Sequence, residues 1–296
     1  MPSTGGGKLW RIARPFAKPL ALASYRVFPS TMNLKRYWDT FGRLPNVIRP
    51  KTFNERIQHR ILFDRNPRLA VFSDKLRVRT YARSILGEGD FLTKLYAVVS
   101  SPAEISGLNL PSKFVMKPNH ASGLIKIVQD YSGIPAGELQ KLAGEWLGLN
   151  YYDVTQEWGY KHVAPRVMFE ELLETNGKIP DDYKFYCFSG EPRVFHVARD
   201  RFVGRKVNCY DMNLTRLPVK LEGSDNFEGP IEPPNFEGMV AAARKLSAGM
   251  DFVRVDLYDV NGRVVVGELS SYVSNGRNMF KPPEYDSVLG KFWVGI

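Results

Sequence analysis

Residues 254–270 read RVDLYDVNGRVVVGELS, two runs of alternating apolar residues around Asn261-Gly262, which is the pattern of a β-hairpin. Asp256 and Glu268 sit inside those runs. A carboxylate within a strand costs free energy unless it reaches water, pairs with a cation or holds a metal ion. The register decides whether the two acids meet. A two-residue Asn261-Gly262 turn would pair Val255 with Glu268 and Asp256 with Gly267, sending the acids to opposite faces. A three-residue loop of Val260, Asn261 and Gly262, with Gly262 left-handed in a bulge, pairs Asp256 with Val266 and Arg254 with Glu268. That register puts Val253, Val255, Leu257, Val265 and Leu269 on an apolar face and Arg254, Asp256, Tyr258, Glu268 and Ser270 on the other, so it is the one expected. Asp256 and Glu268 are then diagonal neighbours suited to Mg2+, which takes one or two carboxylates and fills its shell with water and phosphate oxygens. A solvated face with a local Arg254 ion pair accounts for the same residues.

Around the hairpin, 296 residues with 44% apolar and 12% aromatic content suffice for one large domain or two modest ones. No apolar run approaches the ~20 residues that span a bilayer, and the start lacks a secretory apolar segment, so a cytoplasmic location is expected. Cys187 and Cys209 are too few and too far apart for a zinc site and are expected to be reduced core thiols. His59, His120, His162 and His196 lack metal-ligand spacing. The net charge of +10 is uneven: Lys8, Arg11, Arg14, Lys18, Arg26, Lys35 and Arg36 all precede Asp39, the first acid. Interleaved with Trp10, Ile12, Phe16, Leu20 and Leu22, residues 8–36 suit either a mobile basic arm or contact with the anionic inner face of a membrane. Pro15 and Pro19 break any long helix there. No binding-fold signature accompanies the charge, so no nucleic-acid partner is expected.

Helices are expected over residues 31–41, 52–63, 73–86, 138–147, 235–248 and 285–293, the second opened by the capping box Thr52-Phe-Asn-Glu55. Strands are expected over 94–99, 113–117, 124–129, 166–173, 183–188 and 193–198. This mixed order fits α+β subdomains better than one parallel sheet. The expected division is a basic helical region over 1–72 and a catalytic region over 73–296, the latter split into a smaller subdomain at about 94–165 and a larger one at about 166–296.

Three further segments bear chemistry. In FVMKPNHASG, residues 114–123, Lys117 closes an apolar strand before a loop whose amides at Ser122 and Gly123 can lie over phosphates. The order is not that of a Walker A loop, and a strand-end lysine is often merely solvated. In RVMFEELL, residues 166–173, Glu170 can accept from an adenine amino group beside the backbone of Glu171 and Leu173; an edge strand with exposed acids reads the same way. Lys184 alternates with Tyr186 and Phe188, and a lysine on that face needs solvent or an anion. Arg199 and Arg201 add positive charge beyond the next turn.

Taken in order, Asp74-Lys75, the Val-Met-Lys117-Pro strand and its loop, Phe-Glu170-Glu171-Leu-Leu173, Arg254-x-Asp256 and Gly267-Glu268-Leu-Ser270 resemble the ATP-grasp superfamily over about residues 73–272. More closely, Lys51-Thr-Phe-Asn-Glu55, Asp64-Arg-Asn-Pro67, Asp182-Tyr-Lys184-Phe, Phe188-Ser-Gly-Glu-Pro192 and Arg254-Val-Asp-Leu-Tyr258 look like the TupA-like ATP-grasp family. That family is associated with teichuronopeptide and other bacterial surface-polysaccharide synthesis. The resemblance implies an ATP-grasp fold, two α+β subdomains clasping ATP. Lys75, Lys117, Ser122 and Gly123 would meet phosphates, with Glu170, Glu171 and Leu173 at adenine. Asp256 and Glu268 would bind Mg2+, and Arg254 and Lys184 would be the catalytic cations. Ser270 departs from the superfamily's usual Asn, and residues 272–276, YVSNG, replace a Pro-Gly-rich segment.

The implied reaction is ATP-dependent and ADP-forming: a carboxylate becomes an acylphosphate that an amine attacks, here an amino acid joining a sugar acid. Phosphorylation of a hydroxyl, glycosyl transfer from a metal-bound nucleotide sugar, and a non-catalytic membrane-associated module are the competing expectations.

Overall fold

The computed structural model describes residues 29–200 and 204–295. Helices α1 (Pro29–Phe41), α2 (Phe53–Phe63), α3 (Pro67–Phe72) and α4 (Lys75–Leu86) come first. A four-stranded antiparallel sheet follows, built from β1 (Leu95–Val99), β2 (Phe114–Pro118), β3 (Lys126–Val128) and β4 (Val167–Glu170) in the order β1-β4-β2-β3. Helices α5 (Glu138–Leu147) and α6 (Tyr151–Thr155) lie between β3 and β4 in sequence. The larger antiparallel sheet takes β5 (Asp182–Phe188), β6 (Glu191–Arg199), β7 (Lys206–Asp211), β9 (Phe252–Val260) and β10 (Arg263–Ser270), ordered β10-β9-β5-β6-β7. Strands β8 (Lys220–Leu221) and β11 (Phe280–Lys281) pair in a separate two-stranded antiparallel sheet, and helices α7 (Phe236–Ser247) and α8 (Tyr285–Phe292) follow them in turn along the chain. Helix α3 and strand β7 are additions to the sequence reading, the first only six residues long and the second an edge strand containing Asn208.

Period-2 alternation orients both sheets. In the smaller one, Phe114, Met116, Val167 and Phe169 are buried with Leu139, Ala143 and Trp146 of α5, while Val115, Lys117, Met168 and Glu170 turn to the opposite face. Strand β4 pairs with both β1 and β2. The smaller unit therefore runs through Glu170, past the expected division near residue 166, because Val167 and Phe169 fill its core. In the larger sheet Val253, Val255, Leu257 and Phe185 are fully buried in the main core, which also takes Ala242, Ala243 and Leu246 of α7. Arg254, Asp256, Tyr258 and Lys184 face the other way. Cys187 and Cys209 are free and buried, as expected, and burial pushes both thiols up to about 12.

The hairpin register is reached by another route than expected. Val260 pairs with Arg263, so the turn is the two-residue Asn261-Gly262, both at positive φ (56° and 86°) as a primed turn requires. Asp259 caps it by accepting from Gly262 N at 2.7 Å. The odd residue is Gly267 instead: Leu257 pairs with Val266 and Asp256 with Glu268, the register shifting between them. The two acids are direct rather than diagonal partners, and Val265 lies opposite Tyr258 rather than beside Leu257. A Cβ at Gly267 would come within 2.8 Å of the Tyr258 ring and 3.3 Å of Asp256 O, so the close approach needs glycine.

The expected 1–72 region does not stand apart. The Thr52–Glu55 capping box opens α2, and Phe53 packs against Phe252 at 5.0 Å and Trp293 at 5.9 Å between ring centroids. Of the basic stretch, residues 8–26 lie outside the described residues, as does Arg201. Lys35 pairs with Asp39 at 2.6 Å, and Arg36 donates to Val154 O at 2.8 Å.

Arg60 of α2 ties these parts together. It is fully buried, donates to Phe252 O (2.9 Å) and Ser271 O (3.3 Å), pairs with Asp251 and lies 4.4 Å from the centroid of Trp293. Arg60→Met should lower stability by about 2–3 kcal/mol in urea unfolding. Asp251 limits the loss: its side chain is 33% exposed and keeps a 2.9 Å hydrogen bond from Trp293 Nε1. A change within about 0.5 kcal/mol would remove Arg60 from this role.

Candidate functional site

A cavity of about 760 Å3 opens between the two sheets, a volume within the range of small-molecule sites. All eleven residues expected at the site line it. Lys75, Lys117, Ser122 and Gly123 come from α4, β2 and the following loop, and Glu170, Glu171 and Leu173 from the end of β4. Lys184, Arg254, Asp256 and Glu268 come from the larger sheet.

Lys75 is placed by the docking of one loop on a helix start. Asp74 caps α4 through Leu76 N (2.9 Å) and also accepts from Asn119 Nδ2 (2.9 Å). Lys75 N donates to Asn119 O at 3.1 Å, and its Nζ donates to Ala121 O at 2.5 Å. Burial lowers the ammonium's pKa, an effect opposed by the negative charge of Glu268. Gly123 supplies the loop's left-handed turn at φ +78°.

Glu170 is occupied differently from its sequence reading. It pairs opposite Val115, which makes Lys117 a diagonal neighbour on the same face. Its carboxylate pairs with Lys117, accepts from Thr93 Oγ1 at 2.9 Å and lies 3.7 Å from Arg79. With these cations around it, it holds Lys117 in place rather than standing open to a base. Glu171 accepts from Lys94 N at 3.0 Å and Arg263 Nη2 at 3.3 Å. Nearby, Val115, Ile127, Met168, Leu173 and Ile179 give the cavity an apolar wall.

On the larger sheet, Lys184 and Asp256 are cross-strand partners. The anion Lys184 requires is a pair of aspartates, Asp182 at 2.6 Å and Asp256 at 2.5 Å. Arg254 completes the cluster, its Nε 2.6 Å from Asp256 Oδ1 and its Nη2 2.7 Å from Oδ2. Asp256 is 2% exposed. Burial alone would raise its pKa, but Arg254 and Lys184 outweigh burial and hold it well below the ordinary carboxylate range. Glu268 differs: among the described residues its carboxylate has no hydrogen-bond or ion-pair partner. Ser270 accepts from Arg254 Nη2 at 3.3 Å.

Two carboxylates meeting across a ladder, one without a cation on it, fit a Mg2+ ion that draws the rest of its shell from phosphate and water. Glu268 would be available to such an ion as it stands, whereas Asp256 would have to exchange a hydrogen bond from Arg254 or Lys184 to ligate it. Among the described residues no group of three or more His, Cys, Asp and Glu is placed to hold a metal ion.

Sequence reading missed Glu157, Tyr151, Tyr160, Asn275 and Arg277, which also line the cavity. Glu157 is 5% exposed, accepts from Asn275 Nδ2 at 2.9 Å, and burial pushes its carboxyl up to about 8 from an ordinary 4.5. The folded protein therefore binds this proton more tightly than the unfolded chain, so stability falls as pH rises from about 4.5 to about 8. Glu157→Gln should flatten that fall, with its advantage over the parent growing to a few kcal/mol near pH 8. Denaturant unfolding at pH 5 and pH 8 measures it, and parallel losses in both proteins would contradict the assignment.

The family model described as TupA-like ATPgrasp matches residues 55–294. No curated protein matches the chain. Among solved structures, the ATP-grasp ligase PsnB with its minimal precursor aligns at 15% identity and a TM-score of 0.42, over 77% of this chain and 61% of that one. PsnB with a phosphomimetic precursor variant, Mg and ADP aligns at 16% and 0.44, over 98% and 73%. D-alanine–D-alanine ligase from Bacillus anthracis with ATP aligns at 17% and 0.37, over 69% and 56%. The chain thus spans about three fifths of the first of these. No helix of the described residues is long and apolar enough to cross a membrane. With a match over most of its length, the chain belongs to the TupA-like ATP-grasp family and has the ATP-grasp fold.

Proposed function

We propose that this ATP-grasp enzyme is an ADP-forming carboxylate–amine ligase that joins an amino acid to a sugar acid in bacterial surface-polysaccharide synthesis. The observation that carries the reading is convergence: two lysines, an apolar wall and two carboxylates, brought from α4, β2, β3, β4, β9 and β10, line one cavity. Lys75 and Lys117 bind the phosphates, the latter steered by Glu170, while the backbone of residues 171–173 and the apolar wall hold adenine. Glu268 and Asp256 would hold Mg2+, which would supply neutralising charge to the transferring phosphoryl group. Arg254, released from Asp256, turns its planar guanidinium to the oxygens of that group. Lys184 remains anchored by Asp182 and keeps Asp256 oriented. A carboxylate is a poor electrophile, and an acylphosphate gives it a leaving group that an amine displaces.

The test incubates the protein with ATP, magnesium and mixed sugar acids and amino acids, with every product identified by mass. An amide with stoichiometric ADP is expected. A phosphate on a hydroxyl would replace this reading with a kinase, and a glycoside formed from added sugar nucleotides would replace it with a glycosyltransferase.

A further inference from the structure

Tyr151, Glu157, Tyr160, Asn275 and Arg277 line the cavity without a part in the proposed ATP and Mg2+ contacts. Tyr151 and Tyr160 pack edge to face, with ring centroids 4.7 Å apart at 64°. Glu157 lines the same cavity and is tied to this pair through its backbone, its carbonyl oxygen accepting from Tyr160 N at 3.0 Å. Among the described residues the Glu157 carboxylate takes one hydrogen bond, from Asn275. That donor is held firmly: Asn275 Nδ2 also reaches Thr155 O at 3.0 Å, and Asn275 O accepts from Gln58 Nε2 at 2.7 Å. The backbone is left-handed at both Ser274 (φ 50°) and Asn275 (φ 53°). Two successive non-glycine residues in that region are strained, and such strain persists where surrounding contacts over-determine the geometry. Here it presents an amide to a nearly buried acid.

We propose that Glu157, framed by Tyr151 and Tyr160 and held by Asn275, is the binding group for the primary ammonium of the amine substrate. This rests on the ligase reading. Burial keeps the Glu157 carboxyl largely protonated at neutral pH while the cavity is empty; an incoming ammonium favours release of that proton to solvent, and the carboxylate so formed matches the ammonium in charge while the aromatic rings attract cations to their faces. A carboxylate substrate would bring no such counter-charge to Glu157 and would meet the negative charge of Glu268 in the same cavity. Arg277 supplies an opposing positive charge near Glu157, so the subsite is not simply anionic. Glu157, Tyr151, Tyr160 and Glu268, a proposed Mg2+ ligand, line one cavity, so this subsite opens on the same space as the centre where the acylphosphate would form.

Hydroxylamine provides the test, because it is small, largely uncharged at neutral pH and traps acylphosphates as hydroxamates without needing an ammonium pocket. Protein, ATP and magnesium are incubated with D-glucuronate and D-galacturonate. Either hydroxylamine or a mixture of L-alanine, L-glutamate and L-lysine is added. The parent should form both hydroxamate and amide. Glu157→Gln, whose amide oxygen still accepts from Asn275, should lower amide kcat/KM at least roughly 30-fold while hydroxamate formation stays within roughly twofold. Glu157→Asp should recover part of the loss. Equal losses of both products, or no loss of amide, would overturn the proposal, as would hydroxamate without amide in the parent. A parent that forms neither product overturns the ligase reading and this inference with it. Thermal unfolding of each variant confirms that folded protein is compared.

Discussion

Glu268→Gln should lower ADP-forming turnover by roughly a thousandfold or more while leaving stability within about 0.5 kcal/mol of the parent. The two halves of this expectation have one cause. Glu268 has no ion-pair partner among the described residues, so removing its charge breaks no direct pair. It faces Asp256 across the ladder and acts on Lys75, Glu157 and Arg254 only through its field. A carboxylate with lone pairs open to a cavity contributes little to folding, yet without it a Mg2+ site would have only Asp256, whose oxygens are already shared by Arg254 and Lys184. The magnesium concentration needed for half-maximal rate should rise as well. Glu268 also pushes the carboxyl of Glu157 up, so the variant should show a lower Glu157 titration midpoint. Unchanged turnover at saturating magnesium would remove Glu268 from the metal role, whatever the fold.

The hairpin shows how far local reasoning reaches. Alternation in residues 252–260 and 263–270 was enough to require both acids on one face, because the opposite register would bury carboxylates among Val253, Val255 and Leu257. It did not say where the extra residue goes. Asn261-Gly262 is a strong two-residue turn and keeps that geometry, while Gly267 absorbs the extra residue because a Cβ there would meet Tyr258 and Asp256. That collision lies between strands and depends on the tertiary position of a ring. Caps behaved more simply: Thr52 with Glu55, and Asp74 before α4, act within a few residues and were readable.

The rest of the site was less legible for the same reason. Glu170 carries no local sign that Lys117, Thr93 and Arg79 converge on it, since β4 must first be inserted between β1 and β2. Glu157 lies just past a five-residue helix, α6, with no alternating or helical pattern to mark it. Its partner Asn275 is more than a hundred residues away. One signal was available: residues 272–276, YVSNG, stand where a Pro-Gly-rich segment was expected, and that departure coincides with the left-handed Ser274 and Asn275.

Asp256→Asn should be the most damaging single change in the cluster, lowering stability by about 3–5 kcal/mol near pH 7 and removing most turnover. Arg254 contacts both Asp256 oxygens and Lys184 contacts one of them. The asparagine amide can accept through its oxygen alone and carries no charge. Lys184 keeps Asp182 at 2.6 Å, so the stranded cation is chiefly Arg254, whose pKa burial would lower but which Asp256 holds high. The pH dependence distinguishes this loss from one of shape. The folded pKa of Asp256 is depressed below its ordinary 3.8, so its contribution is fully present above about pH 4 and declines as pH falls toward the folded value. The stability gap between parent and variant should therefore be constant from pH 7 down to about 4 and shrink in more acidic solution, where the parent's carboxylate begins to protonate. Lys184→Met combined with Asp256→Asn should cost less than the sum of the two changes, because the second removes a charge that the first has partly uncovered. A gap that stays constant through acid unfolding, together with strictly additive losses, would mean that Asp256 contributes through packing and that the Arg254–Asp256–Lys184 cluster is not the electrostatic unit its distances describe.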